Sequence, residues 1–270
     1  MPEPLGLTTI EQLARRFQEP AWLTERRRRG LAQHQGLPWP HPSDDIWRRT
    51  DVSLLDPMRG CALAEPGLTQ GLPLSDAQLK GLTQPLGGES LFVRVNGAWL
   101  TTDVPAGVAV EELSGAAQQQ PEPIRRILEV DGLTSAEQKL ASLNDAFHHD
   151  DLWVRVAPGA AVDAPVRLVH LFSASAKQAV FPLTVITAGA GSAVTVIDEY
   201  VSVDPAGSSE PHLVNARIEL VLEPGARVHY VRLQRWGLTA REFVLQRASL
   251  GEGAASLSLA CGLAAVPAMA

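Results

Sequence analysis

From about residue 150 the chain alternates apolar and polar positions strand after strand, and four fragments repeat one shape. VAPGAAVDAPVRLVHLF, TVITAGAGSAVTVIDEY, IELVLEPGARVHYVRLQ and ASLGEGAASLSLA each set an apolar or alternating run, a glycine-centred turn and a second alternating run. The turn glycines Gly159, Gly191, Gly225 and Gly253 lie 32, 34 and 28 residues apart. Such a period, made only of strands and glycine turns, predicts a mainly β chain folded as a β-solenoid, each coil burying its inner face against the next. Ala160, Ala226 and Ala254, which follow the glycines, suit tight corners where coils stack. A jelly roll or other β-sandwich is the competing architecture, because alternation alone fits both. The regular glycine spacing favours the solenoid.

Upstream the pattern differs. Residues 1–60 read as an N-terminal helical region. Thr8 or Thr9 is placed to cap a first helix carrying Ile10, Leu13, Ala14 and Phe17, and Pro20 to sit in the first turn of a second. Residues 61–140 read as a mixed linker region. There LFVRVNGAWL forms a hairpin turning at Asn96-Gly97. AAQQQPEPIRRILEV is a loop feeding a short helix, and TSAEQKLASLND is another helix, capped by Thr134 or Ser135. Residues 141–270 form the β-helix core, expected to be incomplete at the C-terminus.

Charge and composition narrow the function classes. A formal net charge of −7 over 270 residues argues against nucleic acid and anionic membranes as partners. The run Arg26 to Arg29 lies near Glu19 and Glu25 and reads as a solvated helix face. Two cysteines, Cys61 and Cys261, make neither a disulfide framework nor a cysteine zinc site. MPEPLGLTTI lacks the features of a secretory signal, and no stretch approaches the roughly 18 unbroken apolar residues of a membrane span. The expected location is the cytoplasm.

Candidate chemistry is sparse. His148-His149-Asp150-Asp151 offers four possible ligands, but adjacent histidines on a strand face opposite ways, and a site also needs a third converging ligand. His170 and His229 sit in strands without an HxH partner. Asp198-Glu199 reads as a polar strand end rather than an acid/base pair. Counting one repeat apart aligns Asp198 with Arg232 and Leu259, which is no catalytic row. There is no phosphate-binding P-loop, AGAGS at 188–192 leads into a strand, and no GxSxG elbow occurs. Cys261 reads as a small apolar core residue. No residue is assigned as catalytic, cofactor-binding or metal-ligating.

Several motifs carry a family resemblance. DDIWRRTDVSLLD (44–56) resembles the E-E-W-R-Y-T-D-L signature of the SufB/SufD family of iron–sulfur cluster assembly scaffolds. EPAWLTERRRRGLAQHQGLPWP looks like the lead-in of SufD-type members. LNDAFHHDDLWVRVAPGAAVDAPVRLVHLF is similar to the family segment L-N-x-A-F-x-x-D-G-x-x-V-x-V-x-x-G-x-x-x-x-x-P-I, with Asp151 where the family usually has Gly. VITAGAGSAVTVIDEYV and NARIELVLEPGARVHYVRLQ match the next coils, including the Asn215 to Glu219 spacing.

The resemblance implies a right-handed parallel β-helix behind helices, acting as a SufD-like scaffold subunit of the SufBCD complex. The partners it implies are a SufB-like subunit and a SufC-like ATPase. It implies no enzyme activity and no cofactor bound stably by this chain, with a transient iron–sulfur cluster handled by the complex. Family members continue past this point, so the chain is expected to be truncated, lacking the SufC-docking region and the family's cluster-handling residues. An uncapped solenoid edge is expected to favour self-association. The alternative reading is a metal-dependent or sugar-cleaving β-fold enzyme using the His148-His149-Asp150-Asp151 turn.

Overall fold

The computed structural model describes residues 5–44, 47–49, 61–64, 75–85, 87–101, 104–129, 132–173, 177–202, 212–237 and 239–262, without the side chains of 76, 101 and 150. It is a mainly β structure in which helices back one face of a β-solenoid of about three turns.

Two sheets form the solenoid walls. The first stacks β4 (Val108–Glu111), β5 (Asp150–Val156), β8 (Pro182–Ala188), β10 (His212–Leu222) and β12 (Ala240–Leu250); short β7 (Gln178–Val180) also pairs β10 and carries β1 (Ala62–Leu63). The second stacks β3 (Ala98–Thr101), β2 (Ser90–Val95), β6 (Val166–Phe172), β9 (Ala193–Ser202), β11 (Arg227–Arg235) and β13 (Ala255–Gly262). All pairings are parallel except β2 with β3 and β4 with β5, as a coil that returns after each circuit requires. Inner-facing Val154, Ile186, Leu220, Val166, Val196 and Val228 meet in one core.

The corners follow the glycine pattern. Gly159, Gly191, Gly225 and Gly253 have φ of 70°, 68°, 71° and 65°, the left-handed region that glycine enters without a side-chain clash. Each turn hands a hydrogen bond to the next. Gly159 N–H donates to Ala190 O, Gly191 N–H to Pro224 O, and Gly225 N–H to Glu252 O, all near 2.8–2.9 Å. The alanines after them pack on the core.

The hairpin also forms as expected. Asn96 and Gly97 take φ of 43° and 87°, and β2 joins the solenoid wall beside β6. Its outer residues Val93 and Val95 are covered from α3 (Asp76–Thr83) by Leu79 and Leu82.

The outer face of the first sheet is covered by α2 (Ala21–Gly36), α4 (Leu113–Gln119), α5 (Pro121–Leu128) and α6 (Ser135–Phe147), while α1 (Leu7–Arg16) packs on α2 and α6. Thr134 caps α6 in a capping box with Glu137. Three upstream expectations need correction. Thr9 is inside α1, where its Oγ1 accepts the Gly6 N–H, and Gly6 is the cap. Pro20 is the N-cap of α2, not a first-turn residue. Most of AAQQQPEPIRRILEV is helix, because Pro121 opens α5 and Ile124 and Leu128 bury against the sheet. Of DDIWRRTDVSLLD, only 44 and 47–49 are among the described residues.

Candidate functional site

The arginine run is half buried, against the expectation of a solvated face. Arg27 is inaccessible and holds the equally buried Glu19 carboxylate through Nε and Nη2, with Nη1 donating to Ala146 O. Arg26 reaches Asp145 at 2.9 Å, whereas Arg28 pairs with Glu25 at the surface. The burial has a simple cause: Gly30 lies against Ser142 O and Asp145 Cβ, so α2 and α6 approach closely enough to enclose whatever projects between them. From the sheet side Arg217 joins this layer, bonding Asp145 at 2.6 Å, Glu219 at 2.7 Å and Leu128 O at 3.1 Å. Asn144 donates to Asn215 O and Pro182 O, and Asn215 donates to Leu140 O. The Asn215 to Glu219 segment is thus the seam between α6 and the solenoid.

The histidine–aspartate turn lies in the same layer, and its members part company. His148 Nδ1 sits 3.0 Å from Asp151, while His149 Nδ1 faces Phe147 O at 3.0 Å and its ring packs edge-on to Phe181. Both histidines are buried. Burial first, then the Arg27 charge, lowers the His148 pKa below its usual value. Burial raises the Asp151 carboxyl, but the hydrogen bond and charge of His148 and the charges of Arg94 and Arg27 outweigh it, leaving Asp151 lowered. A neutral imidazole donating to an ionised carboxylate satisfies both directions. The side chain of Asp150 lies outside the described residues. Among the described residues, no three His, Cys, Asp or Glu side chains converge as ligands.

A second polar file occupies the interior of the coils, where the sequence reading placed none. Asp198 is inaccessible and faces inward, not at a polar strand end. Its carboxylate accepts from Tyr200 Oη at 2.8 Å and Tyr230 Oη at 2.6 Å, and lies 3.0 Å from His170 Nε2. Thr184, from the opposite sheet, meets Tyr200 Oη at 3.1 Å, and the His170 and Tyr200 rings stack with centroids 4.8 Å apart. Burial raises Asp198, but the bonds and charge of His170 and the two tyrosines bring it below its ordinary value. Both tyrosines are pushed well up, by burial first and then by the Asp198 charge, so they remain donors. Arg232 stacks under Asp198, lies over the Tyr200 ring and pairs with Glu242 toward the last coil.

The alignment of Asp198 with Arg232 therefore holds, but Arg232 pairs with Ala260, and Leu259 lies beside Val231 on the other face. Glu199 points outward, where Arg167 and Arg235 hold its two oxygens. His229 is exposed.

The last described coil carries the third feature. Among the described residues, no strand pairs the outer edges of β12 or β13. Leu250, Leu257 and Leu259 are 53%, 64% and 59% exposed, a level the other coils avoid by stacking. Cys261 on β13 is half-buried beside Leu233 rather than a core residue, whereas Cys61 is buried and its thiol is raised to about 11 by desolvation. No described helix is long and apolar enough to cross a membrane.

Comparison with known proteins falls on the same coils. Residues 170–265 match the family described as "SUF system FeS cluster assembly, SufBD core domain". The chain is 25% identical over 198 residues to the "Iron-sulfur cluster assembly protein SufD" of Bacillus subtilis (strain 168), a match spanning 72% of this chain and 44% of that relative. Through its solenoid coils and along most of its length, the chain is thus similar to proteins of the SufB/SufD family.

Proposed function

We propose that the chain is a SufD-like scaffold subunit that assists iron–sulfur cluster assembly in the cytoplasm, within a SufBCD-type complex formed with a SufB-like subunit and a SufC-like ATPase. The carrying observation is that the family match covers the last described coils, whose β12 and β13 edges are unpaired among the described residues. An unpaired parallel edge with exposed leucines offers backbone and apolar contacts to another protein. The polar groups of the interior support the scaffold reading over an enzyme. Asp198, Tyr200 and Tyr230 satisfy one another away from solvent, an arrangement that stiffens a rod. The cluster is cargo of the complex, with no stable cofactor site assigned to this chain.

The test is co-expression of the tagged full chain with SufB-like and SufC-like proteins. A complex that retains the SufB-like subunit through gel filtration is expected. Failure to retain either protein overturns the assignment. Loss of the complex on Leu257→Lys/Leu259→Lys places the contact at the open edge.

A further inference from the structure

The outer face of the first sheet is not fully covered. Between α5 and the stacked turns lies a groove of about 650 Å³, in the range of small-molecule sites. Thr187 and Val221 lie in its floor, Pro123 and Ile127 of α5 line one wall, and Pro158 and Gly189 of the turns line the other. Gly189 is required there, since a Cβ would fall 2.6 Å from Pro158 N. The floor and walls are chiefly apolar, and the polar groups are few.

Their hydrogen-bonding state points to one ligand class. Arg155 binds Glu111 at 2.6 Å and lies over the Trp153 ring at 4.7 Å, yet its buried Nε has no hydrogen-bond partner. Arg126 projects from α5 at the groove and has no ion pair among the described residues. Glu223 is engaged, accepting the Ala190 N–H at 3.0 Å. The cation without an ion pair among the described residues is Arg126, a full positive charge beside apolar surface. Glu223 lines the groove as well, and its negative charge disfavours a polyanion such as a polyphosphate.

We propose that this groove binds a small amphipathic monoanion, an organic acid with a compact apolar body and a single carboxylate. The body lies over Thr187 and Val221, and the carboxylate accepts from Arg126.

The experiment is calorimetric titration of the full chain with 2-naphthoate and with 2-naphthalenemethanol, which keeps the ring system and lacks the charge. The acid is expected to bind saturably at one site and the alcohol roughly tenfold more weakly. Arg126→Gln, an exposed position, is expected to reduce the acid to the affinity of the alcohol without moving the melting temperature. Val221→Trp fills the floor and is expected to abolish both; Ala109→Leu on the rim is the second filling variant should Val221→Trp fold poorly. Absence of saturable heat, equal affinity for acid and alcohol, or binding indifferent to Arg126→Gln overturns the proposal.

Discussion

Tyr230 donates a 2.6 Å hydrogen bond to the Asp198 carboxylate from the neighbouring coil, so one phenol joins two layers of the rod through its interior. Asp198→Asn keeps the shape and removes the charge. The tyrosine donors then face a weaker acceptor, and the amide presents N–H groups to other donors. A loss of about 2 kcal/mol is expected, with Tyr230→Phe costing about 1–2 kcal/mol, because bonds to a charged acceptor exceed neutral ones. Urea midpoints at pH 7 measure both. A double variant no worse than Asp198→Asn alone would fit a shared interaction.

The pH response should centre on His148. Its folded pKa lies below the usual 6.5, so the unfolded chain binds the extra proton first. Stability from this group is whole above pH 6.5 and declines as pH falls toward the folded value, by at most about 1.4 kcal/mol per pH unit. His34 is lowered in the same direction, by burial foremost, and contributes in the same window. His148→Gln should flatten part of the slope of unfolding free energy between pH 7 and 5, leaving the His34 share. An unchanged slope would contradict a buried, neutral His148.

Arg27 and Glu19 form an ion pair with neither side chain exposed. Arg27→Met strands a buried carboxylate and should cost about 3–5 kcal/mol. Adding Glu19→Gln removes that charge and should recover much of the loss. Chemical denaturation of wild type, single and double variants separates the stranded charge from lost packing.

Two glycines in one corner have different reasons to be glycine. Gly191 has φ of 68° with open space around its Cβ position, whereas Gly189 has no such φ and meets Pro158. Gly191→Ala should cost about 1–2 kcal/mol from the backbone alone. Gly189→Ala must shift the neighbouring turn and should cost more. Calorimetric melting of the two variants ranks them.

These corners explain what the sequence makes legible. A left-handed turn excludes most residues, so the glycines mark each coil, and the coils follow from their spacing. Register is less exposed. Along β9/β11 and β11/β13 the pairings are Asp198 with Arg232 and Arg232 with Ala260, offsets of 34 and 28 that equal the glycine spacings. Along β6/β9, His170 pairs with Tyr200, an offset of 30 against the 32 between Gly159 and Gly191. The first corner thus holds two extra residues before its second strand, and no local pattern reports them. The inward face of β9 was equally hidden. Val196, Asp198 and Tyr200 face in, while Ile197 and Val201 face out; with α3 covering Val201 the outer face is apolar too, so apolar character does not mark which face carries Asp198 inward. Arg27 was misread for a related reason, since burial of a cation depends on a partner eight residues earlier and on a helix more than a hundred residues later.

The open coil gives the last expectation. Leu257 and Leu259 are two apart on β13, facing out beside His229 and Val231, and both are more than half exposed. Water contact on such a patch, next to a strand edge unpaired among the described residues, favours association with another edge. Leu257→Lys/Leu259→Lys places two charges there without touching the interior. Sedimentation of the isolated chain should show self-association that weakens in the variant, while unfolding free energy changes by no more than about 0.5 kcal/mol per site. If the wild-type chain is monomeric at every concentration tested, the edge does not pair with itself and is reserved for a different surface. If the variant also unfolds, the leucines support the last coil and are not contact residues.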